Sequence, residues 1–268
     1  MKTVLNPIYT ENNTKIIHNL FYDWIGWRSK ELLLPDSINE AIEICNSFWE
    51  KDGLYLKKWN YSKDTIKILF KVNSNIKPTL FSQRIKGRLD HSLRKLETPI
   101  KFSRKVAFRC LGENTRDIVN KYVQKQVIKS DYVDARFKKL LTDFTVFNDK
   151  VDLSQPIMMS HGRYWYNIHL VIVIADRKNP IIKKEKFDII KKYSFIIANK
   201  KECEIAHLAI MPDHIHISLK GNPELSPNDI GFAFLNNLSF VLGYNRCWKN
   251  EFYVGSFSEY NLETLKQF

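Results

Sequence analysis

Only four cysteines occur in 268 residues (Cys45, Cys110, Cys203 and Cys247), far apart and without a C-x-x-C pair. That excludes a zinc ribbon and a disulfide framework as the organising device. No uninterrupted apolar run reaches the length of a membrane span. The start, M-K-T-V-L-N-P-I-Y-T-E-N-N, lacks the apolar stretch of a secretory signal. A soluble cytoplasmic, nucleoid-associated protein is expected. Acidic residues are scarce beside basic ones, 29 against 42, for a formal net charge of +13. A polyanionic partner is the simplest reading of such a balance, because phosphate neutralisation releases counterions. A lysine-rich composition without any such partner is the competing one. The 44% hydrophobic and 13% aromatic content is that of a folded chain with a full core.

What stands out is the run Met211 to Lys220, M-P-D-H-I-H-I-S-L-K. In a strand, alternate side chains share a face, so His214 and His216 project together while Ile215 and Ile217 point into a core. Two imidazoles so placed can hold a divalent metal, although H-x-H alone is a weak signal. Asp213 reads as a turn residue before the strand, with orientation of one imidazole as its competing role.

The run M-P-D-H-I-H resembles the signature of the HUH single-tyrosine transposases, insertion-sequence and repeat-associated enzymes that cut and rejoin single-stranded DNA through a tyrosine. The strand-like Arg163 to Asp176 and the helix-like Lys183 to Asn199 follow the order of that family.

A second, diverged copy of the same module is visible upstream. Asp64-Thr65-Ile66-Lys67-Ile68 aligns with Asp213 to Ile217 (214 − 65 = 149), and Phe102 to Tyr122 aligns with Trp248 to Phe268 (248 − 102 = 146). Ile16 to Leu20 aligns with Asn167 to Val171 (169 − 18 = 151). The expected fold is α+β: two tandem ferredoxin-like HUH modules, each an antiparallel sheet with helices packed on it, forming an intramolecular pseudo-dimer. The modules span 1–130 and 160–268, joined by a helical linker at 131–159 with a candidate helix from Tyr132 to Phe147. In the first copy, Thr14 to Arg28 reads as one strand, Asp36 to Glu50 as a helix, Leu54 to Trp59 and Thr65 to Val72 as a hairpin, Thr79 to Leu96 as a helix, Lys105 to Leu111 as a strand and Asn114 to Lys129 as a helix.

In the resembled family the nucleophile lies on the last helix, with a metal-binding Gln four positions later. The first copy carries Tyr122 and Gln126 at that spacing, on one helix face, but has Thr65 and Lys67 in place of the histidines. The second copy keeps His214 and His216 and has Phe268 at the tyrosine position. The resemblance implies sites shared between modules: one complete, from Tyr122, His214, His216 and Gln126, and one degenerate, from Thr65, Lys67 and Phe268. It also implies a divalent Mg²⁺ or Mn²⁺ cofactor. Tyr253 and Tyr260 are rival tyrosines, aligned with a strand and a turn.

Arg84, Lys86, Arg88 and Arg94 on one helix, with Arg104, Lys105 and Arg109 after it, are the candidate DNA contacts. The counterpart helix, Ser226 to Tyr244, has no basic residue and is expected to pack inside or against a partner. Trp24, Trp27, Trp59 and Trp165 are candidates to stack on unpaired bases, with core packing as the competing role. The expected function is cleavage and rejoining of single-stranded, hairpin-bearing DNA by a monomeric pseudo-dimer, with a higher oligomer as the alternative state. A domesticated DNA binder without catalysis and a rolling-circle replication initiator are the alternatives.

Overall fold

The computed structural model describes residues 6–29, 37–96, 102–129, 139, 141–175, 183–243, 246–260 and 262, with the side chains of 124–129 outside that description. The first module contributes β1 (Lys15–Asn19), β2 (Phe21–Arg28), α1 (Ile38–Lys51), β3 (Leu54–Tyr61), β4 (Thr65–Val72), α2 (Pro78–Lys95), β5 (Phe102–Leu111) and α3 (Arg116–Lys129). Two short strands follow, β6 (Thr145–Phe147) and β7 (Ile157–Met159). The second module contains β8 (Gly162–Trp165), β9 (Asn167–Ile174), α4 (Lys184–Lys200), β10 (Glu204–Ile210), β11 (His214–Lys220), α5 (Pro227–Leu242) and β12 (Trp248–Ser256).

Sequence pattern accounts for these elements. In β4, Ile66, Ile68, Phe70 and Val72 are buried while Thr65, Lys67, Leu69 and Lys71 face the other way, the alternation of a sheet with unequal faces. Helix α1 buries Ile38, Ala41, Ile42, Cys45 and Trp49, a stripe at helical spacing. Helix α5 opens with a capping box between Ser226 and Asp229, has Pro227 in its first turn, and stops at Gly243 with φ of 72°. A cap of this kind contributes about 1 kcal/mol. The apolar side of α5 is covered from within the chain. Asn236 accepts hydrogen bonds from the backbone N–H groups of Ile8 and Tyr9 and donates to the Tyr9 carbonyl.

Two six-stranded sheets result, ordered β3-β4-β2-β5-β8-β7 and β1-β12-β9-β11-β10-β6. Each is a ferredoxin-like module with its helices on one face, α1 and α2 on the first, α4 and α5 on the second. The modules also exchange strands. The expected single strand from Thr14 to Arg28 is broken at the buried Leu20: β1 pairs in parallel with β12 of the second sheet, and β2 lies antiparallel between β4 and β5 of the first. Its counterpart breaks at the buried Tyr166, with β8 parallel to β5 and β9 between β11 and β12.

Where the chains cross, the backbone N–H of Phe21 donates to Ser256 Oγ at 2.8 Å. A Cβ on Gly112 would lie 2.3 Å from the Ser256 carbonyl oxygen, so only glycine allows this approach. Tyr22, Phe108 and Tyr166 meet edge-to-face there, joining both modules in one core.

This pairing corrects the repeat alignment. The matched breaks at Leu20 and Tyr166 set the upstream offset at 146 rather than 151 (166 − 20 = 146), so the counterpart of His169 is Asp23, not His18. The linker is not wholly helical either. Residues 141–143 are helical, but β6 pairs with β10 and β7 with β8, one strand going to each sheet. Residues 132–138 and 140 of the candidate helix lie outside the described residues.

Candidate active site

The face of the second sheet opposite α4 and α5 carries His214 and His216. Ile215, Ile217 and Leu219 alternate with them into the helix-covered core. Directly paired residues on neighbouring strands share a face. His216 stands opposite Ala209 on β10 and Val171 on β9, and one pair along, Ser218 stands opposite His169. On β12, Tyr253 and Gly255 complete this face beside Val171 and His169. A Cβ on Gly255 would lie 2.4 Å from the Tyr253 hydroxyl oxygen, so the glycine makes room for that ring.

The first module's last helix docks on this face. Val119 packs with Leu153, Ala206 and Phe257 of the linker and second module, and Val123, one turn later, is fully buried. The start of α3 is pinned to the second module: the Arg116 N–H donates to the Ser258 carbonyl at 2.6 Å, and the Arg116 guanidinium pairs with Glu259 at 3.2 Å. Helical spacing then places Tyr122 at the histidines. Its ring is edge-on to His216 with centroids 5.4 Å apart, and 6.3 Å from His169. Tyr122 is 44% exposed, so its ring borders both the site and solvent.

The three imidazoles form a connected group. His169 and His216 stack with ring centroids 5.2 Å apart, and His169 Nε2 lies 3.1 Å from His216 Nδ1. His214 Nδ1 is 2.6 Å from the Asp213 carboxylate. Asp213 therefore does more than form the turn before β11: it holds the His214 ring, as carboxylates commonly do for metal-binding histidines. Burial pushes His169 down to about 4, and burial followed by the neighbouring imidazoles pushes His216 well below the ordinary histidine range. Both rings are thus neutral at pH 7, and a neutral ring offers a lone pair.

A metal fits these residues in part. His216 Nε2 is buried and has no hydrogen-bond partner, an orphaned acceptor or donor of the kind that a bound ion explains. If His216 donates from Nδ1 to His169, its Nε2 carries the lone pair. His214, donating from Nδ1 to Asp213, likewise keeps Nε2 for a ligand role. Among the described residues no group of three or more His, Cys, Asp or Glu side chains is arranged to hold a metal. Further donors would have to be of another kind.

The structure thus brings Tyr122, His214 and His216 together from two modules. Gln126 lies on α3 one turn beyond Tyr122, its side chain outside the described residues, as is Phe268 entirely. Thr65 and Lys67 lie on β4 of the first sheet, opposite Trp27 and Ile25.

The cations on α2 make contacts within the chain. Arg84 and Arg88 bind Asp52, Arg88 also covers the Phe48 ring, Lys86 donates to the Ser103 carbonyl and Arg94 to that of Asp90. Arg104 and Lys105 are exposed, and Arg109 stacks on Trp165 and Tyr260. Trp24 is core, Trp59 stacks on Tyr61, and Trp27 and Trp165 line a cleft on the first sheet. His169 is the residue that sequence reasoning missed as part of the site. Its signal was the offset: aligned at 146 instead of 151, it falls on the histidine face.

The family model described as "Transposase IS200 like" matches the chain twice, over residues 24–126 and 163–268. No curated protein matches it in sequence. Among solved structures, an assigned transposase of Deinococcus radiodurans R1 is 19% identical, over 38% of this chain and 85% of that one, with a TM-score of 0.29. A protein of unknown function from Galdieria sulphuraria is 9% identical, over 89% of this chain and 97% of that one, with a TM-score of 0.21. The two family matches cover most of the chain, one on each module, and on that ground the chain belongs to the IS200-like transposase family as a tandem duplication of its domain.

Proposed function

We propose that the chain cleaves and rejoins single-stranded DNA at one composite site, with Tyr122 as nucleophile. The observation that carries this reading is the edge-on approach of Tyr122, from the first module, to His216, from the second. Tyr122 Oη attacks the scissile phosphorus, the bond to the 3′ oxygen breaks, and that oxygen takes a proton. The products are a 5′-phosphotyrosine and a free 3′-hydroxyl. Attack by a 3′-hydroxyl on the same phosphorus releases the tyrosine and restores a phosphodiester, so no ATP is required.

His214, His216 and Gln126 are the residues that would hold Mg²⁺ or Mn²⁺, which when bound supplies positive charge to the phosphate. His169 and Asp213 hold the two ligand rings in orientation. Docking of α3 through Val119 and Val123 brings the hydroxyl to the site. A single chain supplies every residue of this site, so a monomeric pseudo-dimer is the working unit, and hairpin-bearing single strands are its substrate class.

The test is a denaturing gel of the protein incubated with end-labelled single-stranded hairpin DNA and Mn²⁺. A protein–DNA adduct that resists denaturation is expected. Its absence with the intact chain across a panel of hairpins would leave the second reading, a DNA-binding protein without catalysis. That reading is favoured by the loss of both histidines, to Thr65 and Lys67, in the other module.

A further inference from the structure

The first sheet has a face equivalent to the one that bears the histidines, and it is shaped quite differently. A cleft of about 1030 Å³ lies there, at the upper end of the roughly 300–1,000 Å³ range of small-molecule pockets. Its walls come from both modules: Lys67, Lys105 and Arg109 from β4 and β5, and Arg163, Trp165 and Tyr260 from the second. Four Lys or Arg side chains line it against a single carboxylate, Asp23.

The replacements follow a chemical logic. Lys67 stands where His216 stands in the other copy, and Asp23 where His169 stands. A lysine ammonium stands where the other copy has an imidazole. Asp23 is buried, and Lys67 and Arg109 both act on it electrostatically. One carboxylate against four cations leaves the cleft net positive. Arg109 is held between rings, 4.5 Å from the centroid of Trp165 and 5.1 Å from that of Tyr260. The Trp165 indole is itself fixed, donating from Nε1 to the Ser154 carbonyl at 2.7 Å. Arg163 and Lys105 are exposed at the rim.

We propose that this cleft is a metal-independent binding site for a single-stranded DNA segment, its cations engaging phosphates and its aromatic rings the unpaired bases. The degenerate site has exchanged chemistry for grip: permanent charge on Lys67 does for a phosphate what a metal does at the other site. Phosphate-directed cations interleaved with aromatic rings are the combination that holds single strands without sequence preference. The occupant is a single strand rather than a duplex, because the rings can stack only on bases free of a partner. The proposal rests on the reading that the chain handles single-stranded DNA, and the test separates the two.

The experiment measures fluorescence anisotropy of a labelled oligothymidylate with the full chain in EDTA, across a salt series. The intact protein should bind without metal. The double variant Lys105→Ala/Arg163→Ala should bind at least about fivefold more weakly and lose about 1.4 from the log–log salt slope, about 0.7 for each phosphate contact. Trp165→Ala should weaken binding at least about fivefold with little change in slope. Irradiation of a bromouracil-substituted strand should crosslink to Trp165 or Tyr260.

Affinity in EDTA that stays within twofold for both variants, or an equally tight blunt duplex, would overturn the assignment. Failure of the catalytic reading looks different: no Mn²⁺-dependent adduct with the intact chain, while cleft variants still weaken binding in EDTA. Unchanged melting temperatures for the rim variants Lys105→Ala and Arg163→Ala establish that the losses are not unfolding.

Discussion

The ring of Tyr122 stands edge-on to the ring of His216 at a centroid distance of 5.4 Å, though the two residues belong to different copies of the duplicated module. On the proposed function, this exchange accounts for which residues each copy lacks. A composite site needs the tyrosine helix of one copy and the histidine strand of the other. On the proposed reading Tyr122, His214 and His216 form one set, and Thr65 and Lys67 belong to the other.

Tyr122→Phe should abolish the covalent adduct while changing stability by less than about 1 kcal/mol, because the side chain is largely at the surface. Tyr253, whose ring is 6.3 Å from His169, is the nearest rival. Tyr253→Phe should retain the adduct. An adduct that survives the first substitution and disappears with the second would transfer the nucleophile to β12.

His169→Ala should weaken Mn²⁺ binding roughly 10- to 100-fold, the usual effect of removing the group that orients a ligating histidine. Titration calorimetry on the intact and variant proteins reads it directly. An unchanged affinity would mean that the 3.1 Å contact with His216 Nδ1 plays no part in presenting Nε2.

Val123→Ala tests the docking of α3. Removing two buried methyl groups should cost about 1–3 kcal/mol. The loss falls on the helix that carries the nucleophile, so adduct formation should slow by more than DNA binding in EDTA weakens. Equal loss of both would place the defect in the fold at large.

Asp23 gives a pH signature opposite to that of most carboxylates. Burial raises it to about 6, with Lys67 and then Arg109 pulling the other way. Between the unfolded value near 3.8 and 6, the folded state holds the proton more tightly, so this group's contribution falls as pH rises. The full cost, on the order of 3 kcal/mol, is reached above pH 6. Asp23→Asn should therefore flatten the decline in melting temperature over pH 4–6 relative to the intact protein. Parallel profiles would show that the carboxyl is not desolvated in solution.

The duplication, the histidine strand and the tyrosine helix could all be read in the sequence, because periodicity and motif spacing are local properties. The strand exchange could not. Nothing in Thr14 to Arg28 says that the run changes sheets at Leu20, since the whole run is rich in aromatic and branched residues and the partners of its two halves lie in opposite halves of the chain. His169 was missed for a related reason. Pairing His18 with it matched residue type, whereas the hydrogen-bond register matches position, and position puts Asp23 there. Arg84 and Arg88 of α2 pair with Asp52, a partner that helix spacing does not reveal. The cleft on the first sheet gathers residues from Asp23 to Tyr260 and has no linear signature at all.

The crossing of β1 into the second sheet has a consequence for how the protein is made. Lys15 to Asn19 are made well before their partners, Glu251 to Gly255, which lie 236 residues further along the chain (251 − 15 = 236). At about 5–20 residues per second, the early strand waits on the order of ten to fifty seconds for its mate. During that time its pairing groups hydrogen-bond to water. This pairing step of folding is then a long-range one, and the two modules become a single cooperative unit only after Glu251 to Gly255 have been made.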